Sequence, residues 1–207
     1  MKSLKEFLTS NSKIKGFVHH LIISDTGSCP RLWVKCFVNP VYFFNKRGSG
    51  SKIRRHTVMN ISPINQFRLG AKSVIEYFSL VDNAVGDVII GSGTRVGLGN
   101  TIIGPVEIGN DTILAQNIVV SALNHNYENP NLEIKNQGIS KEKITIGNGT
   151  WIGANSVITA GVSIGNHCVV AGGAVVVKNI PDYCVAVGNP ARIIKRYDFD
   201  QKQWIKV

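Results

Sequence analysis

No stretch of this 207-residue chain is long and apolar enough to span a bilayer. The apolar runs near Phe17 to Ile23 and Cys36 to Phe44 fall far short of the roughly 20 residues a membrane helix needs. A signal peptide with a small-residue cleavage site is also missing, so a cytoplasmic protein is the expectation. Cysteine is scarce. Cys29, Cys36, Cys168 and Cys184 form no CxxC pair and no zinc spacing, so nothing calls for a disulfide framework or a zinc site. Acidic residues are few, 13 against 23 Lys and Arg, and the deficit is local. Residues 1–55 hold eleven of the cations against only Glu6 and Asp25, while the rest of the chain is near neutral. The basic field therefore belongs to the N-terminal segment. No RNA- or DNA-binding motif accompanies it, which argues against a nucleic-acid partner. The glycines around residues 91 to 104 lack the order of a phosphate-binding loop.

Helical periodicity is absent from Leu69 to about Val177. In its place an aliphatic residue returns every six positions: Ile90, Val96, Ile102, Ile108, Leu114 and Val120, then Ile146, Ile152, Ile158, Ile164, Val170 and Val176. Two places before each sits a small or β-branched residue, among them Thr94, Asn100, Thr112, Thr150, Ser156 and Cys168. A period of six fits neither a helix nor a hairpin array. It fits a solenoid in which each six-residue unit makes one flat side and about 18 residues close a three-sided coil of stacked parallel strands. Glycines after Ile90, Val96, Ile108, Ile146, Ile152 and Ile164 mark its tight corners.

These residues, with Trp151-Ile152-Gly153-Ala154 and the ending Gly188-Asn189-Pro190-Ala191-Arg192, resemble the hexapeptide-repeat acyltransferases over roughly residues 69 to 195. Within that family the chain is most similar to sugar O-acetyltransferases of the maltose and galactoside type. The resemblance implies an all-β solenoid, a left-handed parallel β-helix. The left hand comes from the resemblance, since ordinary crossover preference favours the right. It also implies acetyl-CoA as acyl donor, a sugar or saccharide acceptor, a place in surface polysaccharide synthesis, and a homotrimer with active sites between subunits.

In chain order, residues 1–60 read as a basic, aromatic-rich N-terminal helical segment and connector, with helices expected at 2–10, 12–23 and from about Pro30. Arg47 to Arg55 is the connector. Either this segment caps the open end of the solenoid, or residues 1–45 lie on an anionic membrane surface, making the protein membrane-peripheral. Residues 61–195 form the solenoid. An early bulged turn lies near Asp82, Asn83, Gly86 and Asp87, and a polar excursion loop spans 124–143; such insertions are commonly functional. Residues 196–207 form a short C-terminal tail, in which Trp204 packs on a neighbour.

Of five histidines, His19, His20, His56 and His167 read as structural, whereas His125 opens the excursion. An imidazole with a pKa near 6.5 can take a proton at neutral pH. The resemblance places the catalytic histidine at this position, as the general base for attack of a hydroxyl on the thioester. The same resemblance assigns the Ala154 backbone N–H to the oxyanion. It assigns coenzyme A to a path along Ala154, Gly172, Val177, Lys178, Arg192 and Lys195, the last two near the nucleotide. Asn83 and Tyr127 are candidate acceptor contacts. No metal is expected, because the repeat and its loop offer only His125 and His167, too few for a carbonic-anhydrase-like site on this scaffold. The other alternative is a catalytically silent solenoid that binds or scaffolds a partner.

Overall fold

The computed structural model describes residues 17, 20–22, 30–38 and 46–207. From residue 46 the chain winds as a parallel β-solenoid of about six coils, a triangular prism with one short strand per coil on each of three faces. Face A stacks Lys52–Ile53, Val74–Ile75, Arg95–Val96, Ile113–Leu114, Trp151–Ile152, Val169–Val170 and Cys184–Val187. Face B stacks Val58–Asn60, Leu80–Asp82, Thr101–Ile103, Val119–Ser121, Val157–Ile158 and Val175–Val176. Face C stacks Phe67–Leu69, Val88–Ile90, Val106–Ile108, Ile144–Ile146 and Ser163–Ile164. Pairing within each face is parallel and in register, so like positions stack on like.

The six-residue pattern is the inside of the prism. All twelve aliphatic positions from Ile90 to Val176 are buried, with at most 2% of their surface exposed. The position two residues earlier is equally buried but does different work. At the corner between faces C and A its hydroxyls form a ladder from coil to coil. Ser73, Thr94, Thr112 and Thr150 donate to the carbonyls of Gly91, Gly109, Gly147 and Gly165 at 2.6, 2.7, 2.7 and 2.8 Å. Each also accepts the N–H of the ladder residue one coil on, Thr94, Thr112, Thr150 and Cys168, at 3.0, 3.2, 3.4 and 3.1 Å. Small polar residues recur there because a tight corner turns backbone groups inward, where they need partners. Cys168 continues the ladder with its thiol on Pro181 O at 3.0 Å; burial raises its pKa, which keeps it a donor.

Three stretches differ from expectation. The connector expected at Arg47 to Arg55, with the residues up to 60 that were placed before the solenoid, is already the first coil: Lys52–Ile53 pairs with Val74–Ile75, and Val58–Asn60 with Leu80–Asp82. Its charged side chains point outward and hide the register. The tail at 196–207 is not a loose end either. Arg192–Asp198 pairs antiparallel with Cys184–Val187 and then with Gln203–Lys206, closing face A with a hairpin. Trp204 packs edge-on against Tyr197 at 5.5 Å, and Tyr197 against Phe199 at 5.0 Å.

The N-terminal helical segment finds no support as a helical unit. Among the described residues, 17, 20–22 and 32–38 are helical, the last stretch ending in a π-helical turn, Val34–Val38. Trp33 Nε1 donates to Leu21 O at 3.1 Å, Arg31 Nε donates to His20 O at 2.8 Å, and Val34 is buried. The helix expected at 2–10 and most of that at 12–23 lie outside the described residues. Among the described residues no helix is long and apolar enough to cross a membrane.

Candidate active site

The excursion leaves the corner between faces B and C after Ala122 and returns at Ile144. It is a flap: Leu123–His125 pairs antiparallel with Ile139–Lys141, His125 opposite Ile139. Its outer part is tied by side-chain amides. Asn126 Nδ2 donates to Gln137 O at 3.1 Å, and Gln137 Nε2 to the carbonyls of Asn129 and Leu132, both at 2.9 Å. The base is fastened to the prism. Glu142 N–H donates to Ala122 O at 3.0 Å, Gly161 N–H donates to Glu142 O at 3.1 Å, and the Lys141 ammonium donates to the Val85 carbonyl on the second coil. The flap thus lies back along the corner toward the second coil. His125 sits on its first strand with an exposed side chain, open to a hydroxyl brought beside it. Tyr127 stands two residues further out, 70% exposed.

Ala154 lies at the corner between faces A and B on the fifth coil. Its carbonyl accepts from Gly173 N–H at 2.8 Å. Gly172 stacks directly on it: a Cβ at Gly172 would lie 3.1 Å from Ala154 O and 3.7 Å from Ala154 N. The surface beside Ala154 is therefore bare backbone, suited to close approach by a thin chain. Val177 and Lys178 are exposed one corner further on, and Arg192 and Lys195 are exposed on the first strand of the C-terminal hairpin.

Within one chain these groups do not all converge. Ala154 precedes face B and His125 follows it. The register Val119↔Val157 sets them at opposite ends of that face, about 15 Å or more apart at ~3.3 Å per strand residue.

Asn83 is a correction. It is fully buried. Its Oδ1 accepts from Ser62 N–H at 2.6 Å, and its Nδ2 donates to Ser62 O at 3.1 Å and Asn65 O at 3.0 Å. Asn65 Nδ2 returns a bond to Asn83 O at 2.8 Å. The amide clamps the first coil's turn to the second's, and its burial keeps it out of reach of an acceptor. Its neighbour Asp82 is the more unusual group, and the sequence reading passed over its role. Burial raises the Asp82 pKa, opposed by the Ala84 N–H at 2.7 Å and by the Asn60 amide at 3.4 Å. Lys141 was missed as well, since a lysine in a polar loop carries no signal of the carbonyl it will grip. Among the described residues no three His, Cys, Asp or Glu side chains gather to hold a metal ion.

Residues 143–178 match the family described as bacterial transferase hexapeptide (six repeats). The match covers 36 of the 207 residues. Among curated relatives, the chain is 36% identical to galactoside O-acetyltransferase of Escherichia coli K12 over 100 residues, 48% of each chain. The chain spans between 30% and 55% of the length of the curated relatives it matches first. Among solved structures, its fold is similar to AntD, an N-acyltransferase from Bacillus cereus in complex with dTDP and 3-hydroxybutyryl-CoA. That likeness has a TM-score of 0.62 and 19% identity, covering 74% of this chain and 84% of that one. It is also similar to PerB from Caulobacter crescentus in complex with CoA and GDP-perosamine, with a TM-score of 0.53 and 20% identity, covering 69% and 56%. At these identities the solved structures establish the fold of the hexapeptide-repeat chain and no more.

Proposed function

We propose that this hexapeptide-repeat chain is an acetyl-CoA-dependent O-acetyltransferase acting on a sugar hydroxyl during assembly of a surface polysaccharide or its precursor, in the cytoplasm where acetyl-CoA is available. The observation that carries this reading is His125, exposed on a flap fastened at its base to a coil stack whose fold is that of CoA-bound acyltransferases.

His125 takes the proton of the acceptor hydroxyl as its oxygen attacks the thioester carbonyl carbon. The tetrahedral oxyanion is met by the Ala154 N–H. The intermediate collapses with cleavage of the C–S bond, and the imidazolium returns the proton to the departing sulfur. Coenzyme A follows the path past Gly172, Val177 and Lys178, with Arg192 and Lys195 toward its phosphates. Tyr127 borders the acceptor. The coil is left-handed, on the strength of the resemblance.

Because Ala154 and His125 lie at opposite ends of face B, the reaction needs Ala154 of one copy beside His125 of the partner subunit. A homotrimer of parallel prisms does this. Half-exposed apolar side chains on the outer faces, Val58 and Val119 on face B and Ile113 and Trp151 on face A, suit such packing. The test is thiol release from acetyl-CoA across a panel of sugars. With an accepted sugar, His125→Ala should lower turnover by about two to four orders of magnitude while acetyl-CoA still binds. Near-normal rates in that variant would remove His125 from the mechanism.

A further inference from the structure

Face C carries a groove that no step of acetyl transfer uses. It holds about 510 Å³, within the range of small-molecule sites, and runs parallel to the prism axis over four successive coils. One wall is the outward column of the face. Glu107 stands opposite Thr145 and Thr145 opposite Ser163, and the bridge Ile164↔Ile180 carries the column on to Asn179. The other wall is Asn148, Asn166 and Asp182, at the corner between faces C and A. Between the walls lie the buried Ile146, Ile164 and Ile180 and the backbone of Gly147 and Gly165. This corner is neither the one that carries Ala154 nor the one from which the flap leaves.

The corner wall is preset. Asn166 Oδ1 accepts the Asn148 N–H at 2.9 Å and Asn148 Nδ2 at 3.0 Å; Asp182 accepts the Asn166 N–H at 2.7 Å and Asn166 Nδ2 at 3.3 Å. Each amide keeps a second N–H, and the carboxylate keeps lone pairs. On the opposite wall Asn179 Oδ1 accepts the Ser163 N–H at 2.8 Å, while the hydroxyls of Thr145 and Ser163 and the Asn179 Nδ2 carry no hydrogen bond among the described residues. Donors and acceptors thus recur on both sides of a carbon floor, one set per coil of about 4.8 Å, over about 14 Å. No cation lines the groove, and Lys143 at its edge is held by Glu107 at 2.6 Å, so an anionic ligand meets repulsion. Glu107 and Asp182 stand three coils apart, too far to share a metal ion. A peptide strand finds no edge, because the backbone of face C is spent on pairing from coil to coil. A pyranose ring answers what is left: hydroxyls that both donate and accept, set around a carbon face and repeating from ring to ring at a step close to one coil.

We propose that this groove is a binding site for a neutral, linear oligosaccharide of about three sugar units, one per coil step, lying along the axis and separate from the catalytic cleft. It stands independently of the acetyl-transfer reading, because none of its residues takes part in that reaction and its readout is binding alone.

The probes are three neutral trisaccharides, maltotriose, cellotriose and triacetylchitotriose, each titrated calorimetrically into the full chain without acetyl-CoA. Saturable binding of at least one is expected, at one per chain and indifferent to ionic strength because the ligand carries no charge. Ser163→Leu and Thr145→Leu each replace a hydroxyl of the outward column by an apolar branch and should weaken binding about tenfold or more. Both side chains point away from the core, so melting temperatures should move little, and either variant decides the matter if the other fails to fold. His125→Ala should leave binding intact. Absence of saturable heat with all three sugars at millimolar concentration would overturn the proposal. So would binding that survives both leucine variants; its loss in His125→Ala would then put the sugar in the catalytic cleft.

Discussion

Replacing Thr150 by valine should damage the solenoid more than replacing it by serine, although valine keeps its shape and its apolar surface. Thr150 is 1% exposed, and its hydroxyl serves two backbone groups, the Gly165 carbonyl at 2.8 Å and the Cys168 N–H at 3.1 Å. In Thr150→Val both are left without that partner at a buried corner. At about 1–3 kcal/mol for each buried unsatisfied group, the cost is about 2–6 kcal/mol. Thr150→Ser keeps both bonds and loses one methyl, about 1 kcal/mol. With roughly 2–4 °C of melting temperature per kcal/mol for a chain of this size, the valine variant should melt about 4–24 °C below the parent and the serine variant about 2–4 °C below. Thermal melting followed by circular dichroism measures both. If valine melts within a degree or two of the parent, or above serine, the corner hydroxyls are packing elements only and the ladder account fails.

Asn83→Ala should cost about 3 kcal/mol or more, because it strips a buried clamp of several hydrogen bonds. A raised acceptor KM with an unchanged melting temperature would instead restore Asn83 as a substrate contact. For Asp82, the folded pKa is raised above its ordinary value of 3.8. The carboxyl's contribution is thus fully present below the unfolded pKa and lost as pH rises through the folded one. Asp82→Asn keeps the acceptor for Ala84 N–H and should raise the melting temperature at pH 7 but not at pH 3; no gain at pH 7 would refute it. Gly172→Val fills the bare backbone beside Ala154 and should raise the acetyl-CoA KM by about tenfold while kcat at saturation changes less. An unchanged KM would take the coenzyme path off that corner.

The repeat was legible because its physics is local. Every sixth residue faces inward, so burial is written as periodicity from Ile90 to Val176 and each of these positions is found inside. The polar column at Thr94, Thr112 and Thr150 was legible as small residues, while its purpose emerged only from carbonyls 15 to 35 residues downstream. The first coil was hidden because Arg47, Lys52 and Arg54 on its outer side read as a charged connector, and the turn at 60–66 breaks the count of six. The candidate site was legible only as far as a residue type suggests its chemistry, as the imidazole of His125 does, and illegible where geometry decides. An asparagine in a turn can serve a ligand or its own backbone with equal ease, and only the bonds to Ser62 and Asn65 decide for the latter. The flap depends on Lys141 meeting Val85, residues 56 apart, a pairing that no window of sequence contains.

Each coil touches only the coils above and below it, so the shaft is a ruler with divisions of about 4.8 Å. The cationic end and the flap that carries the imidazole are graduations on it, separated by a whole number of marks. Excising or duplicating one 18-residue division between Ser92 and Val120 would slide the two marks relative to each other by a single step, and would part Lys141 from Val85, the carbonyl that fastens the flap to the second coil. Reach in this molecule is therefore counted in coils, and evolution or an engineer can reset it by one unit at a time.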